Sequence, residues 1–431
     1  METEQIMGVD SYLPTQITAE QGKDVIYLKN VGLAWEQTSE QTRARVKSSY
    51  QNQKIDELEI WETEAEKSSA DSKSVVVSLS NILELQPVEI NKPWGKEVWY
   101  TGIEQRGVSK IGSPSANIRI STLHKLLGDS FLESSKDSPI LLKILAPNNH
   151  PTLGNLYYEL HTEKEEVYIV SSVNDVWNNK IGKMKYGVSE SKKADFKDEL
   201  EFKKAFKEAV KAFEKIRFEI EDELTKIRHK ESNLKNHELT VLEAYKMLPA
   251  QLVEKEQHAK TELESFVGWK NLKVGDVVSV ETCVPHSLQH GVEVIEFQTP
   301  VYERFIISFD QKVLTQNHWD VESAFEVMKL KTPQTTTLKL IHQDEAYREE
   351  EVAVFDDFFV SRLTIKKSFA FHTNGKHAVA FLLEGYTTSN ISNNSKQLEA
   401  GKAYYILPMH NGVRFENSKN DASIILLARP R

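Results

Sequence analysis

The sequence predicts a mainly β protein with a helical insertion, and two patterns along the chain support this fold class. Short apolar strands separated by turn residues follow one another from residue 83 to 188 and again from residue 268 onwards. This spacing is typical of antiparallel sandwiches and barrels. Between residues 189 and 267 the apolar side chains recur instead at three- and four-residue steps, with Lys and Glu on the other faces. That period indicates amphipathic helices, so we expect helices to interrupt a β domain.

The end of the chain repeats part of the β pattern. A glycine turn, an apolar strand and a proline precede His410, in the same order as they precede His286. Such a repeat indicates a second copy of the same β unit, which we expect to be degenerate because it lacks a Glu-x-His pair. The sequence thus predicts four segments: an N-terminal extension of unclear structure (residues 1–82), a first β domain in two parts (83–188 and 268–320), a helical insertion (189–267) and a second β domain (321–431).

The first 82 residues give weaker signals than the rest of the chain. The segment Lys23–Leu28 has the composition of a strand, whereas Ile55, Leu58 and Trp61 suggest a helical spacing between residues 36 and 66. No chemistry is assigned to this extension.

Composition limits the class of partner. The 431 residues include 54 Lys plus Arg and 64 Asp plus Glu, a net charge of −10, which argues against nucleic acid or an anionic membrane as the main partner. The single cysteine, Cys283, excludes an intramolecular disulfide and suits a reducing compartment. The N-terminus lacks the pattern of a secretory signal, and no apolar run is long enough to cross a membrane. We therefore expect a cytoplasmic protein.

The stretch from Tyr157 to Val170 contains a histidine and several carboxylates that could take part in metal binding or catalysis. Because a strand alternates its faces, Glu159 and His161 point the same way, and Glu166 on a returning strand can aim at the same place. An imidazole and carboxylates on rigid strands suit a divalent metal such as zinc, manganese or iron. The alternative interpretation is a set of solvated side chains at a strand turn.

A further ligand can come from His286, which lies between two apolar strand segments after Pro285. With it, the predicted metal ligands are Glu159, His161, Glu166 and His286. The ligand from the acidic pair stays open between Glu165 and Glu166, since a short loop permits either register; we prefer Glu166.

These residues resemble the cupin superfamily, and within it the type I mannose-6-phosphate isomerases. The resemblance spans about residues 83 to 431 and rests on the following segments: Glu159-Leu-His161, Lys164-Glu-Glu166, His286 after Gly275-Asp276, Glu296-Phe-Gln298, and Arg304. The sequence departs from the family pattern where Glu159 replaces a glutamine and Thr162 replaces a proline.

The resemblance implies duplicated cupin β-barrels and a metal-dependent aldose–ketose isomerase that interconverts mannose 6-phosphate and fructose 6-phosphate through an enediol. It implies Zn²⁺ or another divalent cation as cofactor and a small sugar phosphate as partner. Lys164 would assist proton transfer, and Arg304 would stabilise the enediolate or position the sugar. For both residues the alternative is a surface role, with Lys164 in a solvated turn and Arg304 in an ion pair.

Two other functions remain compatible with the sequence. Glu159 in place of the family's glutamine, and the loose match of Tyr302–Asp310 to the family's arginine segment, favour a non-catalytic, regulatory sugar-binding cupin. A metal cupin of another activity, such as an oxygenase, is the other. Bound iron with oxygen consumption would favour the oxygenase, and zinc without redox activity would oppose it.

Overall fold

A computed structural model gives the fold. It describes residues 17–19, 25–35, 38–49, 54–63, 74–78, 80–102, 109–113, 116–127, 139–235, 240–332, 337–408 and 410–431. Among these residues, no helix is both long enough and apolar enough to cross a membrane.

The N-terminal extension forms a five-stranded antiparallel sheet in sequence order. Its strands are β1 (Ile17–Ala19), β2 (Val25–Trp35), β3 (Thr38–Ser49), β4 (Lys54–Thr63) and β5 (Ser74–Ser78). The strand expected at Lys23–Leu28 lies within β2, apart from its first two residues. The helical spacing between residues 36 and 66 was wrong: β3 and β4 occupy this range, and their backbones pair over most of their length. Three apolar residues at helical steps are too few to outweigh cross-strand pairing.

The chain then continues mainly as strands. In order these elements are β6 (Leu83–Gln86), β7 (Val88–Lys92), β8 (Gly95–Trp99), β9 (Lys110–Ser113), β10 (Ala116–Arg119), α1 (Ile120–Leu127), β11 (Leu141–Pro147), β12 (Tyr158–Leu160), β13 (Glu166–Val173) and β14 (Gly182–Val188). A short 3₁₀ turn, Asn178–Lys180, precedes β14.

Four helices follow: α2 (Glu190–Lys193), α3 (Glu199–Lys235), α4 (Val241–Tyr245) and α5 (Ala250–Ser265). The Ser189 hydroxyl caps α2, and Thr240 with Glu243 forms a reciprocal capping box at the start of α4. The strands on either side of these helices, β14 and β15 (Val267–Leu272), pair with each other. The helices are therefore an excursion between two neighbouring strands of one sheet.

The rest of the chain returns to strands. These elements are β16 (Val277–Val280), β17 (His286–Leu288), β18 (Val292–Gln298), β19 (Phe305–Ser308), α6 (Val321–Val327), β20 (Lys339–Gln343), β21 (Tyr347–Val354), β22 (Phe358–Ile365), β23 (Ser368–His372), β24 (Ala378–Glu384), β25 (Tyr386–Ile391), β26 (Asn394–Glu399), β27 (Ala403–Ile406), β28 (Asn411–Glu416) and β29 (Ser423–Pro430).

Two antiparallel sheets enclose the first β unit. One has the order β16-β13-β18-β11-β8-β7 and the other β15-β14-β17-β12-β19. Buried residues from both sheets, such as Tyr168 and Tyr158, belong to one continuous apolar core. The two sheets therefore pack face to face around this core. The predicted fold class, mainly β with several antiparallel sheets, is confirmed.

The second β unit contains a four-stranded sheet, β23-β28-β25-β26, and a nine-stranded sheet, β10-β9-β6-β27-β24-β29-β22-β21-β20. The latter corrects the predicted segment 83–188: β6, β9 and β10 join the strands of the C-terminal unit, with Leu83 opposite Tyr405. These segments are strands, as the apolar spacing predicts, but pairing between strands that are distant in the chain leaves no local signal in the sequence. A shared core, which includes Val167 and Phe381, joins the two units.

The long helix α3 packs on the first unit through one stripe of side chains. The residues Phe202, Phe206, Val210 and Phe213 are buried at steps of four and three, and the Phe206 ring stacks on Phe266 with centroids 5.3 Å apart. Leu200, on the same helix, is 79% exposed. Two residues correspond to about 200° of rotation, so Leu200 and Phe202 face opposite ways.

We expect Phe206→Ala to lower the free energy of unfolding by about 3–5 kcal/mol, because it empties a fully buried aromatic site. Urea denaturation monitored by circular dichroism measures the change. Leu200→Ala is the matched control on the same helix and should stay within about 0.5 kcal/mol of wild type. Equal effects of the two substitutions would contradict the assigned packing face.

Candidate metal centre

Strand pairing places the first two candidate ligands together. In the sheet β15-β14-β17-β12-β19, Glu159 of β12 lies directly opposite His286 of β17. Residues in such positions project from the same face, with Cβ atoms about 5 Å apart. His161 follows the end of β12, and the ligand atoms of Glu159, His161 and His286 all lie within 4.8 Å of one another.

Glu166 reaches the same place from the facing sheet, where it begins β13. Its Oε1 atom lies 2.9 Å from Nε2 of His286 and 3.5 Å from Nε2 of His161. Glu159 Oε1 lies 3.8 Å from His161 Nε2. The four residues named by the sequence therefore converge on one point inside the first β unit. His161, Glu166 and His286 are each at most 2% exposed.

The two histidine rings are oriented with Nε2 toward that point. Nδ1 of His161 lies 2.9 Å from the carbonyl oxygen of Glu303, and Nδ1 of His286 lies 3.1 Å from that of Val284. A carbonyl oxygen only accepts, so Nδ1 carries the proton and Nε2 keeps its lone pair. Hydrogen bonds of this kind commonly fix the ring of a metal-ligating histidine.

Several buried polar atoms at the centre lack a hydrogen bond within the described part of the chain. They include Nε2 of His161, Nε2 of His286 and Oε2 of Glu159. Buried polar atoms in folded proteins are normally paired. The Glu166 carboxylate faces Nε2 of both rings in the same buried space. Two imidazole nitrogens and two carboxylates fit a divalent cation such as zinc, manganese or iron.

Lys164 lies beside this centre, with its Nζ atom 3.0 Å from Oε2 of Glu166. Burial alone would lower the pKa of Lys164, but the carboxylates of Glu166 and Glu296 raise it above its usual range. Burial would likewise raise the pKa of Glu166, yet Lys164 and His161 hold it well below its usual range. The pair is thus an ammonium facing a carboxylate.

Arg304 lies at the start of β19 and lines the same cavity as Lys164. Its guanidinium lies 4.8 Å from the ring centroid of Tyr157, and its Nη2 donates to Oγ1 of Thr315 at 2.7 Å. A guanidinium over an aromatic face is held in a defined orientation. Arg304 therefore has a defined orientation at the wall of the cavity.

The rival acid Glu165 lies elsewhere. Its carbonyl oxygen accepts the backbone N–H of Thr299 at 3.0 Å. Burial raises the pKa of its side chain, and Asp357 and Asp356 add to the shift. Those two residues belong to the second β unit, so the Glu165 side chain points toward the contact between the units. Of the acidic pair, only Glu166 is brought to the candidate centre.

Some cavity residues were missed as functional candidates, above all Glu296 and Lys143. The cavity has a volume of about 170 Å³. Burial raises the pKa of Glu296 to about 8, with Lys143 opposing the shift and Glu166 adding to it. Lys143 donates to Gln298 at 2.7 Å. An acid inside the apolar strand Val292–Gln298 was the available signal, since carboxylates are rarely buried without a partner.

Tyr168 was also missed, and it holds a ligand in place. Its hydroxyl donates to Oε1 of Glu166 at 2.9 Å, and the side chain is 4% exposed. Because it lies two residues after Glu166 on β13, it shares the same face of the strand. Its alternation with Glu166 was visible in the sequence, but its aromatic character favoured an ordinary core role.

We expect Tyr168→Phe to weaken divalent-metal affinity by roughly 10-fold or more, the effect of removing an outer hydrogen bond to a ligand. Competition with a chromogenic chelator measures the affinity without any assay of activity. Tyr158→Phe is the matched control: it is equally buried, but its hydroxyl faces Gly187. The same affinity in both variants as in wild type would remove Tyr168 from the account.

Comparison with solved structures shows which fold this is. Mannose 6-phosphate isomerase from Bacillus subtilis matches with a TM-score of 0.55 and 11% identity, over 81% of this chain and 99% of that chain. A point mutant of phosphomannose isomerase from Salmonella typhimurium gives 0.52 and 12%, over 81% and 100%. A zinc-bound mannose 6-phosphate isomerase gives 0.51 and 13%, over 81% and 99%. No family model matches the sequence, and no curated protein matches it.

The chain therefore has the fold of the mannose-6-phosphate isomerases, with a possible metal site inside it. At this level of identity the likeness concerns the fold.

Proposed function

We propose that the protein is a divalent-metal-dependent aldose–ketose isomerase that interconverts mannose 6-phosphate and fructose 6-phosphate through an enediol. One observation carries the proposal: Nε2 of His161 and of His286 converge with the carboxylates of Glu159 and Glu166 beside a cavity that also holds a buried ammonium. The fold it shares with mannose-6-phosphate isomerases supports the same conclusion.

The four ligands would hold Zn²⁺ or a similar cation. When bound, such a cation polarises a carbonyl group and orients the two oxygens of an open-chain sugar. The second β unit offers no comparable set among the described residues, where the group of His, Cys, Asp and Glu side chains with metal spacing is Glu159, His161 and His286. One cation per chain follows from the proposal.

In the proposed reaction, Lys164 and Glu296 transfer the protons. Charged Lys164 donates an N–H to an oxygen that gains negative charge as the enediol forms. Glu296, with a pKa of about 8 caused first by burial, exchanges a proton readily near neutral pH, where a general acid–base group works best. Both line the cavity with Arg304, which offsets charge on the sugar oxygens or positions the sugar.

Hydrogen exchange with solvent tests the reaction. Mannose 6-phosphate incubated with metal-loaded protein in D₂O should give fructose 6-phosphate, with deuterium entering at the carbon that receives a proton from the enediol. Nuclear magnetic resonance of the product reads both outcomes. Deuterium in the product supports the enediol, whereas the absence of product would contradict the isomerase.

A non-catalytic sugar-binding function is the second candidate, and the Lys164–Glu166 ion pair favours it. A lysine locked to a metal ligand is less free to serve the substrate. Saturable binding of mannose 6-phosphate by the metal-loaded protein, with no conversion over hours, would support this alternative.

A further inference from the structure

A second cavity lies outside the candidate metal centre, between α3 and the connecting loop (residues 309–320), which joins β19 to α6. Its volume is about 310 Å³, at the lower end of the roughly 300–1,000 Å³ typical of small-molecule sites. Helix α3 contributes Arg217, Phe218 and Asp222, and the loop contributes amide side chains such as Gln316 and Asn317. A cavity of this size suits one small polar molecule.

An aromatic ring is exposed inside this cavity. Phe218 is 40% exposed, and its ring contacts that of Trp319 edge-on with centroids 5.9 Å apart. Other apolar residues of α3, such as Phe213 and Ile220, are buried, whereas Phe218 offers apolar surface to a ligand in this cavity. The C–H face of a pyranose ring packs well on such a surface, while its hydroxyls reach neighbouring amides and carboxylates.

A charged but balanced set of side chains lines the cavity. Arg217 is 2% exposed and donates to both Glu221 and Glu256. Arg217 and Lys312 bring two positive charges to the lining, and Glu221 and Asp222 bring two negative charges. Because these charges balance, a neutral ligand rich in hydroxyls fits better than an anion.

The connecting loop links this cavity to the first one. Gln316 lines the second cavity and donates to Oδ2 of Asp320 at 2.9 Å, and the same oxygen accepts the backbone N–H of Ile306. Its neighbour Thr315 lines the first cavity and accepts the hydrogen bond from Arg304. A ligand that orders the loop would also hold Arg304.

We propose that this second cavity binds a neutral monosaccharide and that occupancy fixes the connecting loop, and with it Arg304 in the first cavity. Recognition uses the Phe218 face and the amides of the loop. The significance of Arg304 rests on the proposed isomerase function, whereas binding at the second cavity does not depend on it.

Isothermal titration of the full-length protein with methyl α-D-glucopyranoside tests the binding. This probe is neutral and locked as a ring, so it cannot enter an isomerase reaction. We expect saturable binding with a Kd on the order of 1 mM, about 4 kcal/mol. Phe218→Ala should weaken it at least 10-fold. Leu200→Ala, at an exposed position on the same helix, and Tyr302→Ala, in the first cavity, should leave it unchanged.

Hydrogen exchange of the backbone amides in residues 309–320 tests the coupling, with slower exchange expected when the probe is bound. Lack of saturable binding by the folded wild-type protein would overturn the proposal, as would binding that Tyr302→Ala abolishes and Phe218→Ala retains. Binding that leaves the exchange of the loop unchanged would overturn the link to Arg304. None of these readings uses turnover, so a failed isomerase assay does not decide them.

Discussion

Replacing His161 and His286 together by alanine should abolish stable binding of the divalent metal. Wild-type protein should purify with about one equivalent per chain, and the double variant with almost none, because two of the four ligands are lost. Elemental analysis by inductively coupled plasma mass spectrometry gives the content directly. The remaining acids, Glu159 and Glu166, would form a site that prefers hard cations and holds them weakly.

The control for this experiment is His372→Ala, an exposed histidine of β23 in the second β unit. It should keep the full metal content. Since His161 and His286 are buried, the single variant His286→Gln provides a milder change of similar shape. Circular dichroism establishes that each variant is folded. A folded double variant that retains the metal content of wild type would show that the cation binds elsewhere.

Replacing Lys164 by methionine, and Arg304 by alanine, should each lower turnover by ~100-fold or more while the metal stays bound. This is the scale expected for the loss of a group that transfers a proton or stabilises developing charge. Neither side chain is a proposed ligand, although Lys164 contacts the ligand Glu166 at 3.0 Å. Initial rates on mannose 6-phosphate, together with metal content, measure both effects in the same preparations.

Lys180→Met serves as the matched control for these two variants, because Lys180 is solvent-exposed and pairs with exposed Asp175. Its turnover should equal that of wild type. Metal loss in Lys164→Met would show that Lys164 positions the ligand Glu166 and does not act in the reaction itself. If turnover survives both substitutions, the isomerase remains but Lys164 and Arg304 have no part in its mechanism.

The candidate ligands were predictable because strand geometry is local. A period of two places Glu159 and His161 together, and a strand that restarts after Pro285 supplies His286. Cross-strand pairing of β12 with β17 then brings Glu159 opposite His286. The helices between β14 and β15 were equally visible, since their three- and four-residue period differs from that of the strands around them.

What the sequence missed depends on contacts between distant segments. The burial that gives Glu296 its raised pKa comes from the strands packed around β18, and the charge of Lys164 comes from Glu166 and Glu296 around it. Likewise, β6 joins the C-terminal sheet by pairing with residues more than 300 positions away. A pattern within one segment carries no information on such pairing.

Graded addition of Zn²⁺ to metal-free protein, followed by assay of mannose 6-phosphate isomerisation, is the most direct test of the central claim. The account predicts that turnover rises in proportion to bound metal and stops rising at about one equivalent per chain, the capacity of a single four-ligand site. Folded protein that binds one equivalent and converts neither mannose 6-phosphate nor any other hexose phosphate would contradict it.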